Sequence, residues 1–317
     1  MRVLITGATG FVGPHVVDAV RAVCGEGTAV IATSRTATSH PAIGDAEALD
    51  VTNPQAVEAA IVRHRPSHVI HLAGIAAPTE AAKSPEVAWN VHVQGTLNLA
   101  RTILEKAHDC WLVNAGTGLV YGASAASGLP LDEGTLLAPL DDYGVTKAAA
   151  DLALGALARR GLKCVRMRPF NHTGAGQTEA FVIPAFAMQI AEIEAGLKEP
   201  IIRVGNLDAE RDFLDVRDVA TAYALAAANS RGSEPGTILN IASGKALRIG
   251  DALAGLLSLS RVAIKVEQDP ARMRPSDLPS VVGNSDKARQ LLAWQPTYTI
   301  EQTLADVLLD CRKRIAR

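Results

Sequence analysis

Three glycines that follow the first apolar run constrain what the start of this chain can fold into. The run Val3-Leu4-Ile5 reads as a strand, Gly7, Gly10 and Gly13 come next, and the spacing of apolar residues predicts a helix over 11–23. Gly7 permits a tight turn from strand to helix, Gly10 lets the backbone approach a pyrophosphate, and Gly13 lets the helix pack closely on the sheet. N–H groups at a helix start carry partial positive charge. The turn therefore predicts a dinucleotide-binding unit.

The pattern after this turn repeats the alternation of strand and helix. Further strands are predicted at 28–33, 68–74, 111–114 and 163–168, with helices between them, including a long one over 85–107. This alternation predicts an α/β fold of the Rossmann type, with a doubly wound parallel sheet. Its right-handed crossovers gather the loops at the carboxyl ends of the strands along one edge, where a cofactor binds.

The regular alternation ends near residue 170. Beyond it the sequence predicts irregular polar stretches, helices and short strands, at 181–196, 201–204, 248–257, 262–266 and 300–314. We expect residues 1–170 to form the dinucleotide-binding domain, with later segments returning to it. Residues 171–317 are expected to form mainly a smaller, interleaved α/β lobe that binds the substrate.

Composition excludes several classes of function. A net charge of -2 gives no basic field for nucleic acid, and no apolar run is long enough to span a membrane. Met1 leads straight into the first strand, which leaves no room for a signal peptide. The four cysteines, Cys24, Cys110, Cys164 and Cys311, include no close pair, so we expect reduced thiols in the cytoplasm and no metal site.

Two positions beside the predicted sheet bear on the cofactor. An acidic residue after the second strand would bind the ribose of NAD, whereas an arginine accommodates the 2′-phosphate of NADP. Arg35 stands there and no acid does, which favours NADPH over NADH; a solvated surface charge is the alternative. His71 ends a buried strand, and we expect a packed residue with a satisfied hydrogen bond rather than a base. Earlier in the chain, a helix is expected to start at Asn53-Pro54, directly after residues 49–52, and to be capped by Thr52 or Asn53.

A tyrosine and a lysine supply the predicted chemistry. Tyr143 and Lys147 are four residues apart, which places them on one face of a helix. A free tyrosine has a pKa of about 10, and a neighbouring ammonium lowers it. Such a pair relays a proton to or from a carbinol oxygen while hydride moves to or from a nicotinamide. The spacing is common in helices, and its position after the fourth main strand of a dinucleotide fold makes it informative.

These motifs together resemble the extended short-chain dehydrogenase/reductase family. The resemblance adds Thr117, four residues before Tyr121-Gly122, as the hydroxyl that binds the substrate oxygen beside Tyr143 and Lys147. It implies cofactor contacts from Gly7, Gly10, Phe11, Val12, Gly13, Arg35, Asp50, Val51, Leu72, Ala73, Tyr143 and Lys147. Asp50 is also interpretable as a loop acid that stabilises the next helix. His92 stands where the family often has asparagine, a departure that weakens the carry-over of that cofactor contact.

Two residues after Thr117 narrow the reaction. Dehydratases of the family carry an acid and a glutamate there, to protonate the leaving hydroxyl and to remove a carbon-bound proton. Here the positions are Gly118 and Leu119, neither of which exchanges a proton. These two residues therefore argue against dehydration, whereas reduction of a keto group needs only Tyr143, Lys147 and a hydride.

The second half of the chain resembles enzymes of the same family that act on GDP-linked sugars. The resemblance lies in residues 168–177, 205–218 and 269–277, and it implies substrate contacts from Asn171, Arg211, Arg274 and Asp277. The two arginines would clamp a diphosphate. The implied reaction is NAD(P)H-dependent reduction of the 4-keto group of GDP-4-keto-6-deoxy-D-mannose to GDP-D-rhamnose, in a homodimer. An NAD-retaining 4-epimerase, a non-catalytic cofactor sensor and the C4 epimer GDP-6-deoxy-D-talose as product remain open.

Overall fold

A mostly parallel eight-stranded sheet forms the centre of the fold. The computed structural model describes residues 1–25, 27–272 and 278–316. In the first half, the helices and strands are β1 (Arg2–Thr6), α1 (Gly13–Cys24), β2 (Ala29–Ser34), β3 (Thr38–His40), β4 (Gly44–Ala48), α2 (Pro54–His64), β5 (His68–His71), α3 (Pro78–Lys83), α4 (Pro85–Ala88), α5 (Thr96–Lys106), β6 (Trp111–Ala115), α6 (Asp142–Ala158) and β7 (Cys164–Pro169).

The second half supplies shorter elements. They are β8 (Asn171–Thr173), α7 (Val182–Glu194), β9 (Ile201–Val204), β10 (Glu210–Asp215), α8 (Val216–Ala228), β11 (Thr237–Ile241), β12 (Ala246–Arg248), α9 (Ile249–Ser258), β13 (Lys265–Gln268), β14 (Ser280–Val281), α10 (Asp286–Leu292) and α11 (Ile300–Ile315). 3₁₀ segments cover Gly118–Ser127, which is broken by a kink at Gly122, and also Ser230–Gly232 and Pro270–Arg272.

The large sheet has the order β11-β7-β6-β5-β1-β2-β4-β3. All neighbouring strands in it are parallel except β3 and β4, which form an antiparallel pair at one edge. Because side chains alternate along a strand, Val3 and Ile5 pack towards α1 and α8, whereas Leu4 packs towards α2, α5 and α6. The sheet is therefore covered on both faces, which confirms the doubly wound α/β fold.

Segments beyond residue 170 build a second lobe and also return to the large sheet. β8, β10, β12 and β14 form a small sheet, β9 pairs with β13, and α7, α9 and α11 share an apolar core. β11 extends the large sheet beside β7, and α8 covers it beside α1.

Two local predictions differ from the structure. The helix expected over 85–107 is α4 and α5 joined by a π-helical segment, Trp89–Gly95. β3 and β4 were absent from the predicted pattern, because their residues are largely exposed and carry no apolar alternation. Asn53 caps α2 by accepting a hydrogen bond from Ala56 N at 3.1 Å, which settles the choice between Thr52 and Asn53.

The composition also raised the questions of disulfides, membrane-spanning helices and metal sites. All four cysteines are free thiols. In the described part of the chain, no helix is long and apolar enough to cross a membrane, and no group of three or more metal-ligating side chains is assembled.

Candidate active site

A cavity of about 540 Å³ lies between the carboxyl edge of the large sheet and the second lobe. The loops after β1, β5, β6 and β7 form its floor, the first turns of α6 form one side, and the start of α7 with β8 and β10 forms the other. The cavity is thus where the crossovers of a parallel sheet gather their loops.

The glycine turn opens onto this cavity. Gly7 has a φ of +69°, in the left-handed region that favours glycine, and a Cβ there would lie 2.8 Å from the Ala73 backbone. A Cβ on Gly13 would lie 2.2 Å from the carbonyl oxygen of Ala8, so only glycine fits where α1 begins. Gly7, Gly10, Phe11, Val12 and Gly13 all line the cavity, and α1 starts without a side-chain cap. The tight turn expected at Gly7 is therefore present, whereas the close approach at Gly13 is to Ala8 within the turn rather than to the sheet.

The other residues expected around a cofactor fall into two groups. Leu72 and Ala73 line the cavity directly after β5. Arg35 is exposed one residue beyond β2. Asp50 Oδ1 accepts hydrogen bonds from the N–H and the hydroxyl of Thr52, at 2.9 and 2.7 Å. Val51 is buried, and a Cβ on Gly95 would lie 2.8 Å from its Cγ2. Arg35, Asp50 and Val51 thus follow β2 and β4 at the same edge of the sheet, but they do not line the cavity.

Thr117, Tyr143 and Lys147 meet in the cavity. Thr117 follows β6, whereas Tyr143 and Lys147 lie on the first turns of α6, which Asp141 caps through a 2.7 Å bond from Gly144 N. Lys147 Nζ donates to the carbonyl oxygen of Ala115 at 2.9 Å. The Thr117 side chain lies near enough to the Tyr143 phenol to lower its pKa, against the larger effect of burial. Residues at the carboxyl end of β6 thus lie against both Tyr143 and Lys147 of α6.

Burial controls the protonation of this pair. It raises the pKa of Tyr143 to about 12, which outweighs the lowering by the Thr117 side chain. It also lowers the pKa of Lys147 to about 8, because an ammonium loses its hydration there. The expected lowering of the tyrosine pKa by Lys147 is not found in this structure, since desolvation of the phenolate dominates. A phenol that keeps its proton at neutral pH is suited to donate it.

Packing beside Thr117 leaves little room for a side chain at position 118. A Cβ on Gly118 would lie 3.0 Å from the ring of Phe170, which is buried after β7. Leu119 lines the cavity with an aliphatic side chain. The two positions where dehydratases need an acid and a base therefore hold a glycine packed against Phe170 and a leucine.

The predicted substrate residues are brought to the opposite side of the cavity. Asn171 lines it from β8. Arg211 also lines it, from within β10 rather than before the strand as expected, and its Nη1 donates to the carbonyls of Glu210 and Leu278 at 2.7 and 2.8 Å. Arg274 and Asp277 lie outside the described residues.

Sequence reasoning missed two other residues of the cavity. The ring of His172 stacks on Phe11, with centroids 6.3 Å apart, and its Nδ1 lies 3.0 Å from the Phe170 carbonyl. Tyr223, on α8, is 2% exposed, and it borders the cavity from below the sheet edge. His172 could have been predicted from the sequence, because it stands next to Asn171 in a polar segment. Tyr223 is one aromatic residue in an alanine-rich helix, and nothing in the sequence indicates that it borders the cavity.

Comparison with known proteins agrees with this geometry. Residues 3–242 match the NAD dependent epimerase/dehydratase family. The chain is 32% identical over 315 residues to the GDP-6-deoxy-D-mannose reductase of Pseudomonas aeruginosa, covering 99% of this chain and 98% of the relative. It is 26% identical over 314 residues to a UDP-glucose 4-epimerase of Rhizobium meliloti, covering 94% and 93%.

A solved structure shares the whole architecture. The structure of RMD from Pseudomonas aeruginosa complexed with NADPH superposes with a TM-score of 0.86 and 30% identity, and the match covers 99% of both chains. The resemblance drawn from the glycine turn, Tyr143 and Lys147 is thereby confirmed. The chain belongs to the NAD dependent epimerase/dehydratase family.

Proposed function

We propose that this protein is a nucleotide-sugar 4-reductase that converts GDP-4-keto-6-deoxy-D-mannose to GDP-D-rhamnose with NADPH or NADH. The observation that carries the proposal is the meeting of Thr117, Tyr143 and Lys147 in one cavity with Gly118 and Leu119 beside them. This set can protonate a carbonyl oxygen, but it lacks the acid and base that dehydration requires. The reductase relative over nearly the whole chain supports the same activity.

The cavity fits a dinucleotide. The uncapped start of α1, with glycine where any Cβ would strike the backbone, suits a pyrophosphate held by Gly7, Gly10, Phe11, Val12 and Gly13. Leu72 and Ala73 would contact its middle, Asp50 and Val51 its adenine, and Tyr143 and Lys147 its nicotinamide ribose. Arg35, exposed after β2, would bind a 2′-phosphate, which favours NADPH. When bound, the reduced nicotinamide supplies the hydride.

The residues of the chain supply the proton and hold the carbonyl. The Thr117 hydroxyl orients the keto oxygen, and the Tyr143 hydroxyl donates its proton to that oxygen as the alcohol forms. Lys147, charged below a pKa of about 8, then stabilises the phenolate left on Tyr143. Thr117, Tyr143 and Lys147 are thus the proposed catalytic residues.

The second lobe is the proposed source of substrate specificity. We assign residues 1–170, with later segments that return to them, to the cofactor domain, and residues 171–317 mainly to the substrate lobe. Asn171 and Arg211 face the cavity from that lobe and would contact the sugar and the diphosphate of the GDP-linked substrate. Arg274 would complete the diphosphate clamp, and Asp277 would accept hydrogen bonds from ribose hydroxyls.

We also propose a cytoplasmic homodimer. Four free thiols are typical of a reducing compartment. α6 packs beside the helical stretch formed by α4 and the π-helical segment Trp89–Gly95. Both helices leave large apolar side chains exposed, namely Val87, Trp89, Val145 and Leu152. Val145 and Leu152 are two helical turns apart and share a face, so a second copy can cover this strip. Light scattering of the wild type and of Leu152→Glu tests it: a monomeric wild type would refute the dimer.

One experiment tests the proposed reaction. The protein is incubated with GDP-4-keto-6-deoxy-D-mannose and NADPH, cofactor oxidation is followed by absorbance, and the C4 configuration of the product is assigned by NMR. Stoichiometric NADPH loss with a rhamno product supports the proposal, and a talo product corrects its stereochemistry. Tightly bound NAD with no net loss of NADPH favours a 4-epimerase, which is the activity in the name of the Rhizobium relative. No turnover of any keto sugar, with measurable cofactor affinity, leaves a cofactor sensor.

A further inference from the structure

A buried histidine beside the catalytic pair has no part in the chemistry described above. His92 lies in the π-helical segment Trp89–Gly95 and is 1% exposed. Its ring lies edge-on to Tyr143, with centroids 5.5 Å apart and planes at 90°. Single π-helical turns within α-helices are uncommon and frequently occur at functional sites. The position of His92 therefore calls for a functional explanation.

The hydrogen bonds of His92 select one tautomer. Thr146 Oγ1 lies 2.8 Å from the carbonyl of Asp142 and 3.0 Å from that of Tyr143, and carbonyls only accept, so the Thr146 proton is used there. Nδ1 of His92, 2.8 Å from the same Oγ1, therefore carries a proton and donates. Nε2 is then the acceptor for Ile75 N–H at 3.0 Å, and it has no proton for the Ile75 carbonyl at 3.1 Å.

The surroundings of this imidazole keep it neutral. Burial is the main cause that lowers the pKa of His92, to about 3, and the charge of Lys147 and the neighbouring His71 lower it further. The Ile75 carbonyl, which could accept only from a protonated Nε2, raises the pKa of His92 and is outweighed. Protonation thus does not compete with the Ile75 N–H for Nε2 at neutral pH.

The two hydrogen bonds of His92 join two different walls of the cavity. Ile75 belongs to the loop after β5, which lines the cavity where Leu72 and Ala73 would contact the cofactor. Thr146 lies on α6 between Tyr143 and Lys147. At Gly74, a Cβ would lie 3.2 Å from the His92 ring and 3.4 Å from Lys147 Nζ. Loop, imidazole and lysine are therefore packed with no spare room.

We propose that His92 is a positioning residue which, as a single neutral tautomer, fixes the distance between the loop 72–76 and the catalytic turn of α6. It holds Tyr143 and Lys147 in place relative to the cofactor side of the cavity. The inference rests on the proposed function, because it concerns the same reaction. Small displacements of reacting groups slow a reaction strongly, so a rigid link of this kind affects kcat rather than the affinity for the substrate.

A graded series of variants tests the link. His92→Asn keeps a group that can reach Thr146, His92→Gln keeps one that can reach Ile75, and His92→Leu keeps neither. We expect kcat to fall roughly 10-fold in the first two and about 100-fold in His92→Leu, because a misplacement of about 1 Å costs that factor. The KM for the sugar should stay within about twofold, since Asn171 and Arg211 contact it from the other lobe.

A second buried histidine provides the matched control. His68, at the opposite end of β5, also uses both ring nitrogens, with Ser67 at 2.9 Å and Ser230 at 3.0 Å. His68→Asn should lower thermal stability and leave kcat unchanged. Wild-type kcat in His92→Leu, or an equal loss of kcat in His68→Asn, would overturn the positioning role.

A measurement without turnover keeps this inference separate from the proposed function. Nitrogen NMR of the imidazoles in the wild type should show His92 protonated on Nδ1 and bare on Nε2 from about pH 6 to about pH 8, where an ordinary histidine titrates. A proton on Nε2, or titration in that range, would overturn the proposal. If the expected tautomer is found but no keto sugar is reduced, the proposed reaction fails while the link between loop and helix remains.

Discussion

Replacement of Tyr143 by phenylalanine removes one oxygen atom from the cavity and leaves the ring that packs beside His92. That oxygen is the proposed proton donor, and burial keeps it protonated by raising the pKa of Tyr143 to about 12. A positioned acid or base contributes about 10²–10⁴ to rate. We therefore expect kcat to fall by that factor, which corresponds to roughly 3–5 kcal/mol in activation free energy.

The same change should leave the fold and the cofactor site intact. Thr117, which lies beside the lost hydroxyl, still accepts from Leu119 N at 3.2 Å, and Tyr143 itself borders the cavity, so no buried group is stranded. The free energy of unfolding should change by less than about 1 kcal/mol. The Kd for NADPH should change only a few-fold, because the glycine turn that would bind the pyrophosphate is untouched.

The assay compares three quantities in one variant: kcat from NADPH oxidation, the NADPH Kd from fluorescence, and thermal stability. Tyr121→Phe is the matched control, because its hydroxyl accepts from Arg168 at 2.9 Å and donates to Asn240 at 2.7 Å in a buried network. That control should lose about 1–3 kcal/mol of stability with little change in kcat. Turnover of Tyr143→Phe within about tenfold of the wild type would refute the proton-donor role.

Three further predictions concern the lysine, the arginine after β2 and the glycine turn. With a pKa of about 8, Lys147 loses its charge as pH rises through that value, so log kcat should fall above about pH 8 in a pH profile. The pKa of Lys147 in the folded protein lies below its ordinary value of 10.5, so the charged lysine destabilises the fold. This cost is complete below about pH 8 and absent above 10.5. Lys147→Met should therefore raise the unfolding free energy at pH 7 by roughly 1–3 kcal/mol in denaturant melts while abolishing turnover. Arg35→Glu should raise the KM for NADPH about tenfold and spare that for NADH, and equal effects on both would contradict a 2′-phosphate contact. Gly13→Ala, whose Cβ would lie 2.2 Å from the Ala8 carbonyl, should destabilise the protein by about 1–3 kcal/mol in a thermal melt. In Gly10→Ala the nearest atom is the Gly7 carbonyl at 3.3 Å, so stability should be kept and NADPH affinity lost.

Local chemistry in the sequence predicted much of the fold and the site. The apolar run before Gly7 and the Asn53-Pro54 start of α2 are short-range signals, and the structure has them as expected. His71 was expected to be packed and satisfied; it lies 2.7 Å from the Thr6 hydroxyl and 3.1 Å from that of Thr96. Such predictions succeed because a turn, a cap or a buried strand depends on a few neighbouring residues.

Features that depend on distant packing were not predictable in this way. His92, within the π-helical segment, contacts Ile75 and Thr146, which are 17 and 54 residues away. The pKa of Tyr143 depends on how completely the cavity walls exclude water, which the spacing to Lys147 does not encode. For Asp50 the sequence left open an adenine contact and a loop acid that stabilises the next helix; Asp50 Oδ1 accepts from the N–H and hydroxyl of Thr52, and this contact could not be read from the spacing.

The argument against dehydration rests on packing as well as on residue type. Phe170, which restricts position 118, is itself held between β7 and the second lobe, where a Cβ on Gly283 would lie 2.5 Å from its ring. An acid introduced at Gly118 would therefore displace Phe170 and, through it, the segment that follows β14. Asn171, which is proposed to contact the sugar, is the next residue along the chain. A change of reaction at Thr117 is thus coupled to the lobe that would select the substrate, because one aromatic side chain forms the wall between them.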